Sequence, residues 1–168
     1  MRETITAEEY RGLAELRHRI RRFVQEGDET IRKAGLEPQQ YLLLLAVRGL
    51  PEGYDATIRT LADRLSLRHH STVELIDRME ARGYVKRTRG REDRRQVLVS
   101  LQPRGERLLE QVAEQRIIEL RANGRALVDA ISNLLESRNG RPHRAARRQR
   151  TAASKTGPGK RKPASKRK

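Results

Sequence analysis

The chain is expected to be mainly α-helical with one small β-hairpin, and three observations carry that expectation. Apolar residues recur at helical spacing through most of residues 1–137. The spacing changes between Tyr84 and Leu101, where two short strand-like runs flank Gly90 and the second alternates Val97, Leu98, Val99. Residues 138–168 contain no Leu, Ile, Val, Met or aromatic side chain, so they have almost nothing to bury against the entropy cost of folding.

Each helix carries its own signals. In ITAEEY, Thr6 precedes Glu9 at capping-box spacing, with Ile5 and Tyr10 at the staple positions, so a first helix begins at Ala7. Its stripe of Tyr10, Leu13, Leu16, Ile20, Phe23, Val24 and Ile31 runs to about Ala34, longer than a small domain needs for its own core. Pro38 suits the first turn of a second helix, YLLLLAV is apolar on every face as for a buried element, and Gly49 with Pro51 stops it. Thr57 can cap a short third helix with Ile58, Leu61, Ala62 and Leu65 on one side. After a break at Ser66 to Arg68, a fourth runs from His69 to Arg82 with Val73, Ile76 and Met79 inward and Gly83 as its stop.

Two short helices joined by about three residues form a helix-turn-helix candidate, and a hairpin of Tyr84–Thr88 and Gln96–Leu101 directly after it makes the unit a winged helix. Pro103 opens another helix, which is expected to break at Asn123 and Gly124. Leu127, Val128, Ile131, Leu134 and Leu135 form a final helical stripe. No internal repeat is evident.

Charge divides the chain in the same place as hydropathy. Residues 138–168 hold 13 of the 38 Lys and Arg and no acid, which leaves 25 bases against 22 acids in residues 1–137, a net +3 of the total +16. The expected organisation is therefore a folded domain over 1–137 and a disordered Lys/Arg-rich tail over 138–168. Such a tail suits a polyanion, and nucleic acid is the commonest inside a cell. At 3% aromatic residues the chain has few platforms for stacking single-stranded bases. The absence of cysteine excludes disulfides and thiolate metal sites within this chain. No apolar leader or span is apparent, so a cytoplasmic protein without a membrane partner is the expectation.

The segment DRRQVLVSLQPRG resembles the wing signature DxRxxxxxLTxxG of the MarR family of winged-helix transcriptional regulators. It matches at Asp93, Arg95, Leu101 and Gly105, with Gln102 in place of Thr. The preceding LADRLSLRHHSTVELIDRMEARGYVKR is similar to the helix-turn-helix of that family, and the helix order fits residues 6–137. The resemblance implies a homodimer built from the first and last helices, with Leu13, Leu16, Ile20, Leu127, Ile131, Leu134 and Leu135 as the dimerisation residues. It also implies a recognition helix in the major groove of double-stranded DNA and Arg95 in the minor groove, with Asp93 orienting the wing arginines.

The expected DNA-binding set is Arg68, His69, His70, Ser71, Thr72, Glu74 and Arg78 at the fourth helix, with Arg87, Arg89, Arg91, Asp93, Arg94 and Arg95 in the wing. The lost Thr would have capped the helix after the wing, at a cost of about 1 kcal/mol, partly offset by Pro103. Family members commonly bind a small-molecule effector between the dimerisation helices and the winged unit. Tyr10, Tyr41 and the apolar positions of the second helix are the residues here that would line such a cleft, and core packing is the preferred account of them.

Enzymatic readings find no support. Glu92 and Asp93 are the only acidic pair in the wing, and the nearby arginines are expected to hold them ionised, which suits neither as a general acid. His69 and His70 are adjacent, so on a helix they diverge by about 100°; no metal site and no cofactor are expected. Two functional classes remain: a sequence-specific dimeric regulator, most simply a repressor, whose tail adds non-specific affinity, and an architectural nucleoid protein dominated by its tail. A nuclear address in KRKPASKRK conflicts with a family found in bacteria and archaea.

Overall fold

At the start of the chain the Thr6 hydroxyl accepts from the Glu9 N–H at 3.2 Å while the Glu9 carboxylate accepts from the Thr6 N–H at 2.8 Å. Two otherwise orphaned donors are thereby satisfied, and α1 (Ala7–Lys33) begins where the sequence places it. The structure, a computed structural model, describes residues 4–90 and 96–137. Gly35 takes a positive φ after α1, and α2 (Pro38–Arg48) follows with Pro38 in its first turn and Gly49 at its end. Only one face of α2 is buried: Tyr41, Leu43 and Leu44 enter the core while Leu42 and Leu45 face solvent, correcting the expectation of an element buried all round.

Thr57 caps α3 (Ile58–Leu65), its hydroxyl accepting from the Thr60 N–H at 3.0 Å. Ser66, at φ 53°, turns the chain through the left-handed region, and the Leu67 N–H reaches back to the Ala62 carbonyl at 3.0 Å. That turn leads into α4 (His69–Ala81). Gly83 supplies the positive φ that ends α4 and starts β1 (Val85–Arg89), which pairs antiparallel with β2 (Val97–Leu101) in the register Val85↔Leu101, Arg87↔Val99 and Arg89↔Val97. Both strands therefore begin one residue later than expected.

A third extended segment joins the pair. The Val99 N–H donates to the Ala56 carbonyl at 2.9 Å, and Thr57 bridges Leu98, so β2 lies between β1 and residues 56–57. Two residues are too few to show a strand's alternation in sequence, and Thr57 is legible there only as the cap of α3.

The last helix, α5 (Pro103–Ser137), continues through Asn123 and Gly124 without the expected break. A single glycine costs a helix only about 1 kcal/mol relative to alanine, and α1 packs along α5 over much of its length. At 35 residues α5 spans about 52 Å. Gly27 of α1 is buried against Arg116 of α5, where a Cβ would collide with the guanidinium; Arg116 also stacks over Phe23 at 5.0 Å and pairs with Glu119, which accepts from Thr30.

The core lies at the crossing of these layers. Leu36, Leu43, Leu44, Leu61, Ile76, Met79, Val85 and Val112 are all essentially inaccessible, joining α2, α3, α4, the hairpin and α5. Among the described residues no helix is long and apolar enough to cross a membrane.

Candidate nucleic-acid interface

The recognition-helix candidate, α4, is positioned by its buried side. Thr72, Leu75, Ile76 and Met79 form that side, whereas Val73, expected inward, is half-buried. Thr72 was expected among the DNA contacts, and the structure corrects this: it is fully buried, and its hydroxyl donates to the Arg68 carbonyl at 3.1 Å. A side chain as short as threonine can be buried once its hydroxyl bonds back to the helix. Its neighbours define the opposite surface. His70, Glu74 and Arg78 are exposed, Ser71 is half-exposed, and Arg68 and His69 are exposed at the start of the helix. Arg68, His69, His70, Glu74 and Arg78 make no ion pair among the described residues.

The hairpin stands beside α4. Thr88 and Arg89 are exposed at the outer end of β1, and the Gly90 N–H closes the hairpin on the Gln96 carbonyl at 2.8 Å. Arg91, Asp93, Arg94 and Arg95, expected as wing contacts, lie outside the described residues.

Arg87 behaves differently from the other expected contacts. Its guanidinium bonds the Glu80 carboxylate at 2.6 Å and the Asp77 carboxylate at 2.7 Å, and also reaches the Val73 carbonyl at 3.3 Å. The Arg87 backbone N–H donates to the other Glu80 oxygen at 2.8 Å. These bonds hold the Glu80 carboxyl below its ordinary 4.5, the backbone N–H first and the guanidinium second. The Arg87 cation is thus committed to α4, a role that sequence spacing could not show because Glu80 lies seven residues away across a turn.

The base of the hairpin is tied to α5. Gln102 donates its N–H to the Tyr84 carbonyl at 2.9 Å and accepts the Glu106 N–H at 2.9 Å as the first bond of α5, while its side-chain amide donates to the Leu101 carbonyl at 3.4 Å. Arg104 stacks over the Tyr84 ring at 5.1 Å and donates to the Arg82 carbonyl at 3.1 Å.

The expected dimerisation residues separate into two groups. Leu13, Ile20, Ile131 and Leu135 are exposed, Leu135 at 68%, together with Ile117, Ile118, Leu120 and Val128. Leu16, Leu127 and Leu134 are half-buried, Leu134 lying against Gly12 of α1. Tyr10 is exposed and Tyr41 is buried, where desolvation pushes its phenol above the ordinary 10.0 against the opposing effect of Arg116. Tyr10 lies on α1 and Tyr41 on α2. A groove of about 360 Å³ between α1 and α5 is instead lined by Glu15, His18, Arg19, Arg22 and Phe23 among others, with Arg19 paired to Glu15 and Arg22 to Glu26. Among the described residues no group of three or more potential metal ligands occurs.

The comparisons with known proteins agree with this geometry. Residues 34–96 match the model of the MarR family. The uncharacterized HTH-type transcriptional regulator YsmB of Bacillus subtilis is 34% identical over 101 residues, covering 60% of this chain and 67% of that protein. A MarR family protein from Bacillus stearothermophilus superposes with a TM-score of 0.61 at 25% identity, covering 90% of this chain and all of the other. Two further structures share the fold. AbsC, a MarR family transcriptional regulator from Streptomyces coelicolor, has a TM-score of 0.63 at 19% identity over 92% and 94% of the two chains. The transcriptional repressor CouR, bound to a 23-mer DNA duplex, has 0.54 at 23% over 90% and 98%. With five helices and one hairpin among its described residues, arranged as in those proteins, this chain belongs to the MarR family of helix-turn-helix transcriptional regulators.

Proposed function

We propose that the chain is a homodimeric, sequence-specific DNA-binding regulator that acts as a repressor. In this reading α4 enters the major groove, the wing reaches the minor groove, and residues 138–168 add non-specific affinity. The observation that carries it is the solvent face of α4, where Arg68, His70, Glu74 and Arg78 are exposed and make no ion pair among the described residues, beside a hairpin whose strands are separated in sequence by REDRR at 91–95. Side chains left uncommitted in this way are available to base edges and phosphates. CouR, a transcriptional repressor of the same fold, is bound to a 23-mer DNA duplex in its structure, which supports DNA binding as the use of this fold here.

Dimerisation is supported by the apolar residues that α1 and α5 leave on the surface. Leu13, Ile20, Ile118, Val128, Ile131 and Leu135 are each exposed by more than a third, on the two helices that the dimer reading assigns to the interface. Two-fold protein symmetry must then be mirrored in the DNA, with half-site centres roughly 10 bp apart.

Footprinting on fragments of genomic DNA, paired with sedimentation of the parent and an Ile131→Asp, Leu135→Asp double variant, tests the reading. The parent should sediment as a dimer and protect a site with dyad symmetry. The double variant should be monomeric and lose the footprint. A monomeric parent at micromolar concentration, or protection without dyad symmetry, rejects the proposal; binding that ignores sequence favours an architectural role.

A further inference from the structure

Two carboxylates on a helix that approaches DNA are an electrostatic liability, since each repels phosphate. Asp77 and Glu80 are such a pair on α4, and Arg87 of β1 engages both. The geometry also gives Glu80 a structural role. In the β1–β2 register Arg87 faces Val99, yet the Val99 N–H is given to Ala56, and the Arg87 N–H points away from β2 to Glu80. Strand β1 is an edge, and an unpaired edge N–H needs an acceptor. Glu80 supplies it where a further strand would otherwise stand.

The same carboxylate therefore binds the strand twice, through main chain and guanidinium, while Asp77 and the Val73 carbonyl hold the rest of the fork. A planar guanidinium can meet acceptors in these separate directions at once; an ammonium cannot reproduce that arrangement. Three attachments spread from Val73 to Glu80 fix an orientation, not merely a distance.

We propose that Arg87 is a positioning residue, which with Glu80 and Asp77 locks the hairpin at a set angle to α4 so that the two DNA-reading elements engage one site together. The inference rests on the DNA-binding reading above. Arg87 itself contributes no phosphate contact. Base selectivity depends on it because a wing free to swing satisfies phosphates equally well on any sequence, whereas a held one matches only the groove geometry that α4 selects.

The test uses the full-length parent, Glu80→Ala, Glu80→Gln and Arg87→Met in two arms. The first requires no DNA: hydrogen exchange is followed in peptides covering residues 84–101. Exchange should accelerate in Glu80→Ala and Arg87→Met, with Glu80→Gln intermediate because its amide oxygen still accepts the Arg87 N–H. Unchanged exchange in both of the first two overturns the proposal.

The second arm compares a duplex that the parent enriches from a randomised pool with a scrambled duplex of equal composition. Removing the Glu80 charge should, by electrostatics alone, tighten binding to both. Positioning reverses this on the enriched duplex, with a loss of about tenfold in Glu80→Ala, within the range of couplings inside one bonded network. Scrambled binding should hold or tighten, and Glu80→Gln should recover part of the preference. Arg87→Met should lower the preference without changing the salt dependence. A fall of about 0.9 in its salt slope on both duplexes would make Arg87 a phosphate contact and overturn the proposal, as would equal tightening on both in Glu80→Ala. Enrichment of no duplex would instead reject the sequence-specific reading, and the exchange arm alone would then decide the lock.

Discussion

Gly105, in the first turn of α5, lies directly against the main-chain carbonyl of Tyr84, so close that any Cβ at this position would overlap it. That carbonyl also accepts the Gln102 N–H and cannot rotate away without losing the bond. The contact joins the end of the helix-turn-helix to the start of the long helix, which explains a glycine in the wing signature. Gly105→Ala should destabilise the fold: the overlap costs about 1–3 kcal/mol, outweighing about 1 kcal/mol of gained helix propensity. A lowered urea midpoint is the expected result, and an unchanged one would show that the junction is looser than described.

Thr72 and Arg78 stand on opposite sides of α4, and their substitutions should separate stability from recognition. Thr72→Val removes a buried hydroxyl that donates to Arg68 and should cost about 1 kcal/mol of stability with the preferred DNA sequence unchanged. Arg78→Ala should leave stability within about 0.5 kcal/mol and relax or shift the base preference. Thermal unfolding and selection from a randomised duplex pool measure the two effects. An altered preference in Thr72→Val at full stability would contradict its buried placement.

The Glu80 carboxyl is held below 4.5 by the Arg87 backbone N–H and guanidinium, so it titrates lower in the folded chain than in the unfolded one. A depressed folded value stabilises fully above the unfolded value and is lost as pH falls through the folded one. The stability gap between the parent and Glu80→Gln should therefore be constant near neutrality and close below about pH 4.5. Its size stays small because the carboxylate is partly solvated. Urea midpoints of both proteins from about pH 7 to about pH 3 provide the check, and a gap that widens on acidification would reverse the assigned sign.

Charge alone governs the expectation for residues 138–168. If about a third of their 13 cationic side chains engage DNA at once, truncation after Ser137 should flatten the dependence of log K on log salt by about 4. Non-specific affinity should fall most, and preference for a dyad-symmetric site should survive, since phosphate contacts carry no base information. Salt slopes on specific and random duplexes decide it. Equal slopes for both proteins would mean that the segment does not touch DNA.

Local rules wrote much of this fold into the sequence. Thr6 and Thr57 cap helices where their spacing says, Pro38 and Pro103 sit in first turns, and Gly83 ends α4, because each outcome depends on residues within one turn. Composition alone sets residues 138–168 apart by charge and hydropathy, and the wing residues Asp93 to Gly105 carry the family resemblance. Tertiary packing decided the rest. Asn123 and Gly124 remain helical because α1 packs along α5, which outweighs a small local cost; Leu42 and Leu45 face solvent because α2 touches the core on one side only. Thr72 is buried and Arg87 is bound to Glu80 for the same reason: helix periodicity leaves a few tens of degrees of freedom in which face turns inward. Contacts between α4 and its neighbours fix that rotation. The charge of an arginine is legible in a sequence, but whether that charge is free for DNA or already spent on a carboxylate depends on which side chains the fold brings within hydrogen-bonding distance.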